Sequence, residues 1–210
     1  QALAAQNPSS NADMYNTAVG YQAGKLVTTG IQNTAIGGLA GDSITSGGGN
    51  TIMGYAAGDA LTTGNSNVAV GLSALSGDTL GDRAVAIGQG ALNAQNFTSS
   101  TDNYNVGVGY NAGAAVTTGV NNTLIGGLAG DAITDGDANI CIGYLAGTHS
   151  TDLQTGTRNV ILGSYARTSA TNTDDANIIG YDISGAAGFT TLGSATSDIR
   201  AAHGNVTWAT

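Results

Sequence analysis

Two aspartates stand in a setting that resembles a cation site. Gly37-Gly38-Leu39-Ala40-Gly41-Asp42 and Gly126-Gly127-Leu128-Ala129-Gly130-Asp131 follow most of the Gly-Gly-x-Gly-x-Asp pattern of calcium-binding β-rolls. Alanine (Ala40, Ala129) replaces the third motif glycine in both, and no tandem copy follows to complete an oxygen shell. Asp42 and Asp131 therefore read as solvated turn residues, and no metal or cofactor is expected.

Other reactive groups are sparse. The chain has no Glu, so every one of its 14 acidic residues is Asp. Asp174-Asp175 offers a carboxylate pair for general acid–base work, yet it lies in a Thr-Asn-Asp turn. His149 and His203 fall in different regions, with no Ser or Asp spaced to make a triad. The single Cys141 occupies an apolar strand position and reads as a small core residue. Thr-Thr-Gly recurs at Thr28, Thr62 and Thr117. Adjacent threonines on a strand point opposite ways, so these pairs form no flat array for a crystal surface. No enzyme is expected.

What must position these groups is a repeat. Ten glycines follow an apolar residue at nearly constant spacing: Gly20, Gly37, Gly54, Gly71, Gly88, Gly109, Gly126, Gly143, Gly163 and Gly180. The intervals are 17 residues, except 21 before Gly109 and 20 before Gly163. Asn stands four residues earlier in eight copies: Asn16, Asn33, Asn50, Asn67, Asn105, Asn122, Asn139 and Asn159. A fixed period of this length signals a solenoid. Glycine interrupts every few residues and no helical stripe is sustained, so helix is disfavoured. Each unit reads as a short β-branched strand, a glycine corner, a second apolar patch and a Thr-Gly turn. The fold class is thus all-β, a parallel β-roll of 17-residue coils.

Both faces of the first strand look dry. The residue before the glycine is always Val, Ile, Leu or Met, and the one before that is mostly Ala, Ile or Leu. Alternation sends these two to opposite faces, so one packs within the chain and the other against a second copy. One coil buries too little apolar surface to offset its backbone entropy, which makes stacking and association necessary. The recurring Asn residues would stack along the axis and bond from coil to coil.

A longer period lies above the short one. Residues 15–58 match 104–147 at 28 of 44 positions, which is block duplication. The domain reading is a lead-in over 1–14, a solenoid over 15–181 and a C-terminal cap or junction over 182–210. The four-residue insertion at Asn96 to Asn103 reads as an extruded loop, and His149 to Gln154 as a second. Asn93 to Asn103 and the tail His203 to Trp208 are the expected exposed contacts. Net charge is −9, which argues against nucleic acid or an anionic membrane as partner. No signal peptide and no membrane-inserting segment is read.

The Asn-Thr-Ala-[Val/Ile]-Gly core resembles the head repeats of YadA-like trimeric adhesins and the related repeats of phage fibres, over roughly Tyr15 to Tyr181. That resemblance implies a left-handed roll and a homotrimer, although 17 residues is longer than the usual adhesin-head unit. Leu192-Gly193-Ser194 through Val206-Thr207-Trp208-Ala209-Thr210 resembles the stretch before the self-cleaving chaperone of endosialidase type on phage fibres. It implies that Thr210 is a cleavage-generated terminus. Together the resemblances imply a virion tail or surface fibre that contacts a cell-surface glycan or protein receptor. The alternative is the head of a bacterial surface adhesin.

Overall fold

A computed structural model of the chain describes residues 1–7, 13–195 and 197–204. Among these it contains strands and turns and no helix. The chain forms an all-β solenoid of stacked coils, and it divides into two compact units, Gln1–Asn105 and Val106–Thr210. The division falls two residues into the second duplicated block. Trp208, Thr210 and the rest of the Val206 to Thr210 stretch lie outside the described residues.

The first unit carries β1 (Thr17–Val19), β2 (Thr34–Ile36), β3 (Thr51–Met53), β4 (Val68–Val70), β5 (Gly81–Asp82), β6 (Val85–Ile87) and β7 (Thr101–Asp102). Strands β1, β2, β3, β4 and β6 pair in that order, parallel and in register, with Thr17 beside Thr34 and Ala18 beside Ala35. Strand β5 pairs with β7 to hold the insertion. Residues 1–7 of the lead-in are hydrogen-bonded to the first coil. The N–H groups of Leu3, Ala5 and Asn7 donate to the carbonyls of Ala23, Lys25 and Thr28, as the back half of a coil does.

The second unit carries β8 (Val106–Val108), β9 (Thr123–Ile125), β10 (Ile140–Ile142), β11 (Val160–Leu162), β12 (Arg167–Thr168), β13 (Asn177–Tyr181), β14 (Ser184–Gly185), β15 (Phe189–Ser194) and β16 (Ser197–Ala202). Strands β8, β9, β10, β11, β13 and β15 form the same parallel ladder, so coil stacking continues past residue 181. Strand β16 joins β15 antiparallel, and β12 pairs with β14.

The corner glycines have two physical reasons. Gly126 has φ +128, a region closed to side chains, and a Cβ there would stand 2.6 Å from the Gly143 carbonyl oxygen of the next coil. In six coils a second glycine, four residues on (Gly24, Gly41, Gly58, Gly113, Gly130 and Gly147), makes room for an apolar side chain. A Cβ at Gly58 would meet Leu61 at 3.1 Å and Ile52 at 3.0 Å. The core is accordingly thin, built from Ile44, Ile52 and Leu61 in the first unit and Leu124, Ile133 and Ile161 in the second. The insertion is not simply extruded: Phe97 and Asn103 turn inward and are buried, while Asn96, Thr98 to Ser100 and Asp102 are exposed.

Candidate functional site

Strand alternation separates two rows of apolar residues. The middle residue of each three-residue strand points into its coil, so Ala35, Ile52, Ala69, Leu124, Cys141 and Ile161 are buried. The residue before the corner glycine points out. In the first unit Val19, Met53 and Ile87 are exposed by 59%, 41% and 38%, with Ile36 and Val70 half-buried between them. In the second unit Ile125, Ile142 and Ile179 are exposed by 37%, 38% and 43%. The residue after the glycine adds Tyr21, Tyr55 and Leu72 to one unit and Tyr110, Tyr144 and Tyr181 to the other, all exposed.

No residue of these rows is charged, in a chain of 19 Asp, Lys and Arg residues. Contiguous exposed apolar surface of this kind marks an interaction face rather than ordinary solvent contact. Tyr55 and Tyr144 lie against the glycines of the preceding coils, Gly38 and Gly127, where a Cβ would meet their rings at 3.4 and 3.5 Å. In the second unit Tyr144, Tyr165 and Tyr181 stack edge to face at 5.5 and 5.7 Å, and His149 caps Tyr165 at 4.8 Å. The insertion carrying His149 is thus folded onto this aromatic patch.

The asparagines form a buried ladder with a specific bonding rule. Each side-chain oxygen accepts the main-chain N–H one coil up: Asn16 from Asn33, Asn33 from Asn50, Asn50 from Asn67 and, in the second unit, Asn122 from Asn139 and Asn139 from Asn159. Each side-chain N–H₂ donates to a turn carbonyl, as Asn33 does to Gly47 and Asn122 to Gly136. Ala84 and Ala176 stand in place of Asn in coils five and ten; beside Ala84, the insertion and the Gln95 just before it supply the missing acceptors. Asn103 Oδ1 accepts the Asn105 N–H, and Gln95 Oε1 accepts from Asn105 Nδ2.

A second ladder was not legible as a motif. Side-chain oxygens of Asn65, Asp82, Asp137 and Asp174 accept the N–H of Gly48, Asn65, Val120 and Thr157 one coil earlier. The signal for it is Asn or Asp recurring six residues before the corner glycine. This occupies Asp174, while Asp175 makes a two-point pair with Arg158, so the two carboxylates are held apart in different duties.

The remaining chemical candidates are also committed. Hydroxyls of Thr28, Thr62 and Thr117 donate to the carbonyls of Thr45, Thr79 and Thr134. Asp42 lies near Asp59, whose carboxyl is raised above its ordinary pKa by burial and then by the Asp42 charge. Burial likewise raises Asp131, with Asp152 adding to it and hydrogen bonding from Thr148 opposing it. Among the described residues no three His, Cys or Asp side chains gather as metal ligands, and no helix is long and apolar enough to cross a membrane. His203 is exposed, but its Nε2 lies 3.3 Å from Asn177 Nδ2 and 3.4 Å from Thr190 Oγ1.

Compared with protein-family models, curated proteins and solved structures, the chain matches none of them. The outward rows therefore carry the functional reading on their own.

Proposed function

We propose that this chain is a structural segment of a homotrimeric fibre, carried on a phage tail or virion surface and working in host attachment. The observation that carries this reading is the uncharged outward row of each unit, exemplified by Val19, Met53 and Ile87 in one and Ile125, Ile142 and Ile179 in the other. Net charge −9 opposes close approach of two copies, and an uncharged face is where that opposition is weakest. Apolar burial there supplies the association energy at about 25 cal/mol per Å². Its role is mechanical: stacked coils joined by main-chain bonds space a receptor-contacting element from an anchor, with no chemistry required of the side chains.

Mass in solution tests the assembly. Light scattering of the intact chain should give three copies, and Met53→Lys with Ile142→Lys should shift it toward one folded copy. A folded monomer at every concentration overturns the reading. Immunogold labelling then locates it: label on virion fibres supports the role, and label confined to bacterial surfaces transfers it to an adhesin.

A further inference from the structure

We propose that β16 is an end cap that denies the open edge of the second unit's sheet to another copy of the chain. This goes beyond trimer formation, which concerns the face of the sheet and not its edge. Strands β8, β9, β10, β11, β13 and β15 are all parallel, so each edge of such a ladder is a template for one more parallel coil. Strand β16 reverses that direction. It pairs along its whole length, from Phe189 beside Ala202 to Ser194 beside Ser197.

Three further features fit a cap. Gly180 stacks on Gly193, the last glycine of the column, but a Cβ on Gly193 would run into the Ser197 carbonyl of β16 instead of another corner glycine. The place of the next coil is therefore filled by a strand of the wrong polarity. Strand β16 is also the one strand of this ladder that carries charge, with Asp198 and Arg200 ion-paired to each other. Charged side chains on an edge strand oppose pairing with a further chain. Finally, it is tied back: Arg200 Nη2 donates to the Ser184 carbonyl at 3.4 Å, and the His203 N–H to Gly188 at 2.7 Å. Terminal capping units serve this purpose in repeat proteins, whose neighbours otherwise add without limit.

The test combines native exchange with two variants of the full chain. In the native protein, amides of β15 and β16 should exchange as slowly as those of β13, and exchange at turn rates in β15 overturns the proposal. Ile199→Pro with Arg200→Pro removes an N–H facing β15 whichever of the two adjacent groups faces it. This variant should form end-to-end particles whose scattering mass rises in whole multiples with concentration. Retained β-sheet circular dichroism with native mass throughout overturns the cap. Should the double variant fail to fold, the single variant Ile199→Pro decides. Concentration-dependent growth supports the proposal, and native mass at all concentrations overturns it.

Discussion

Asn33 Oδ1 accepts both the main-chain N–H and the side-chain N–H₂ of Asn50, one coil above, at 3.1 and 3.0 Å. Asn50 repeats the move, its oxygen taking the Asn67 N–H at 2.9 Å while its amide donates to the Gly64 carbonyl. These groups are fully enclosed, so each lost partner leaves a buried polar atom without water.

Asn50→Ala strands the Asn67 N–H and the Gly64 carbonyl. Each costs about 1–3 kcal/mol when left unpaired. Urea unfolding should show a lowered midpoint, and an unchanged midpoint would mean that the ladder is dispensable. At Ala84 the native chain also lacks the side-chain oxygen, but there Asn103 and Gln95 supply acceptors that coil three lacks.

Corner glycines should be intolerant for a different reason. Gly126→Ala asks alanine to hold φ +128 and sets its Cβ against the Gly143 carbonyl. The dihedral alone costs about 1–3 kcal/mol, and the backbone contact adds to it. Gly188 is the control: its φ is +72 and nothing lies within 4 Å, so Gly188→Asn should fold normally. Thermal melting of both variants checks the contrast. Equal losses would show that column packing is not the cause.

Asp59 gives a pH-dependent outcome. Burial first and the Asp42 charge second raise its folded pKa above the ordinary 3.8, so the ionised form is the less favoured one in the fold. A carboxyl raised on folding binds its proton more tightly folded than unfolded. Stability from this group therefore rises as pH falls through the raised value, and levels off below 3.8. Asp59→Asn should raise the unfolding midpoint at neutral pH, with the gain shrinking toward pH 4. A midpoint lowered at neutral pH would show that the carboxylate is favourably held.

Much of this fold is legible because period and polarity coincide. Gly20 to Gly180 mark ten corners, and the residues before each sort themselves into an inward and an outward row by strand alternation alone. The division at Asn105 also follows the duplicated blocks, but the direction of the insertion does not follow from length. Core row Val27, Ile44, Leu61 continues as Asp78 and Gln95, two buried polar residues that bond to each other at 2.6 Å. In those coils Leu75 and Leu92 replace the space-making glycine, so the apolar side chain moves three residues earlier. A motif scan sees a broken repeat there, whereas packing sees a conserved volume. The β16 reversal is likewise silent in composition, because direction is set by a turn at Ala195, φ +43, and not by any periodic signal.

Cys141 tests whether the inward row stays closed. Its thiol is fully buried on β10, and burial pushes its pKa from 9.0 up to about 12. That leaves about a thousandfold less thiolate than a free cysteine at the same pH, before steric exclusion is counted. Iodoacetamide should therefore leave the folded chain unmodified and alkylate it completely in denaturant. Under native conditions the slow labelling that remains should track opening of the second unit, slowing further when the chain is concentrated enough to associate. Rapid alkylation of the folded protein would place Cys141 on the outer row instead, and with it the assignment of which face packs inward.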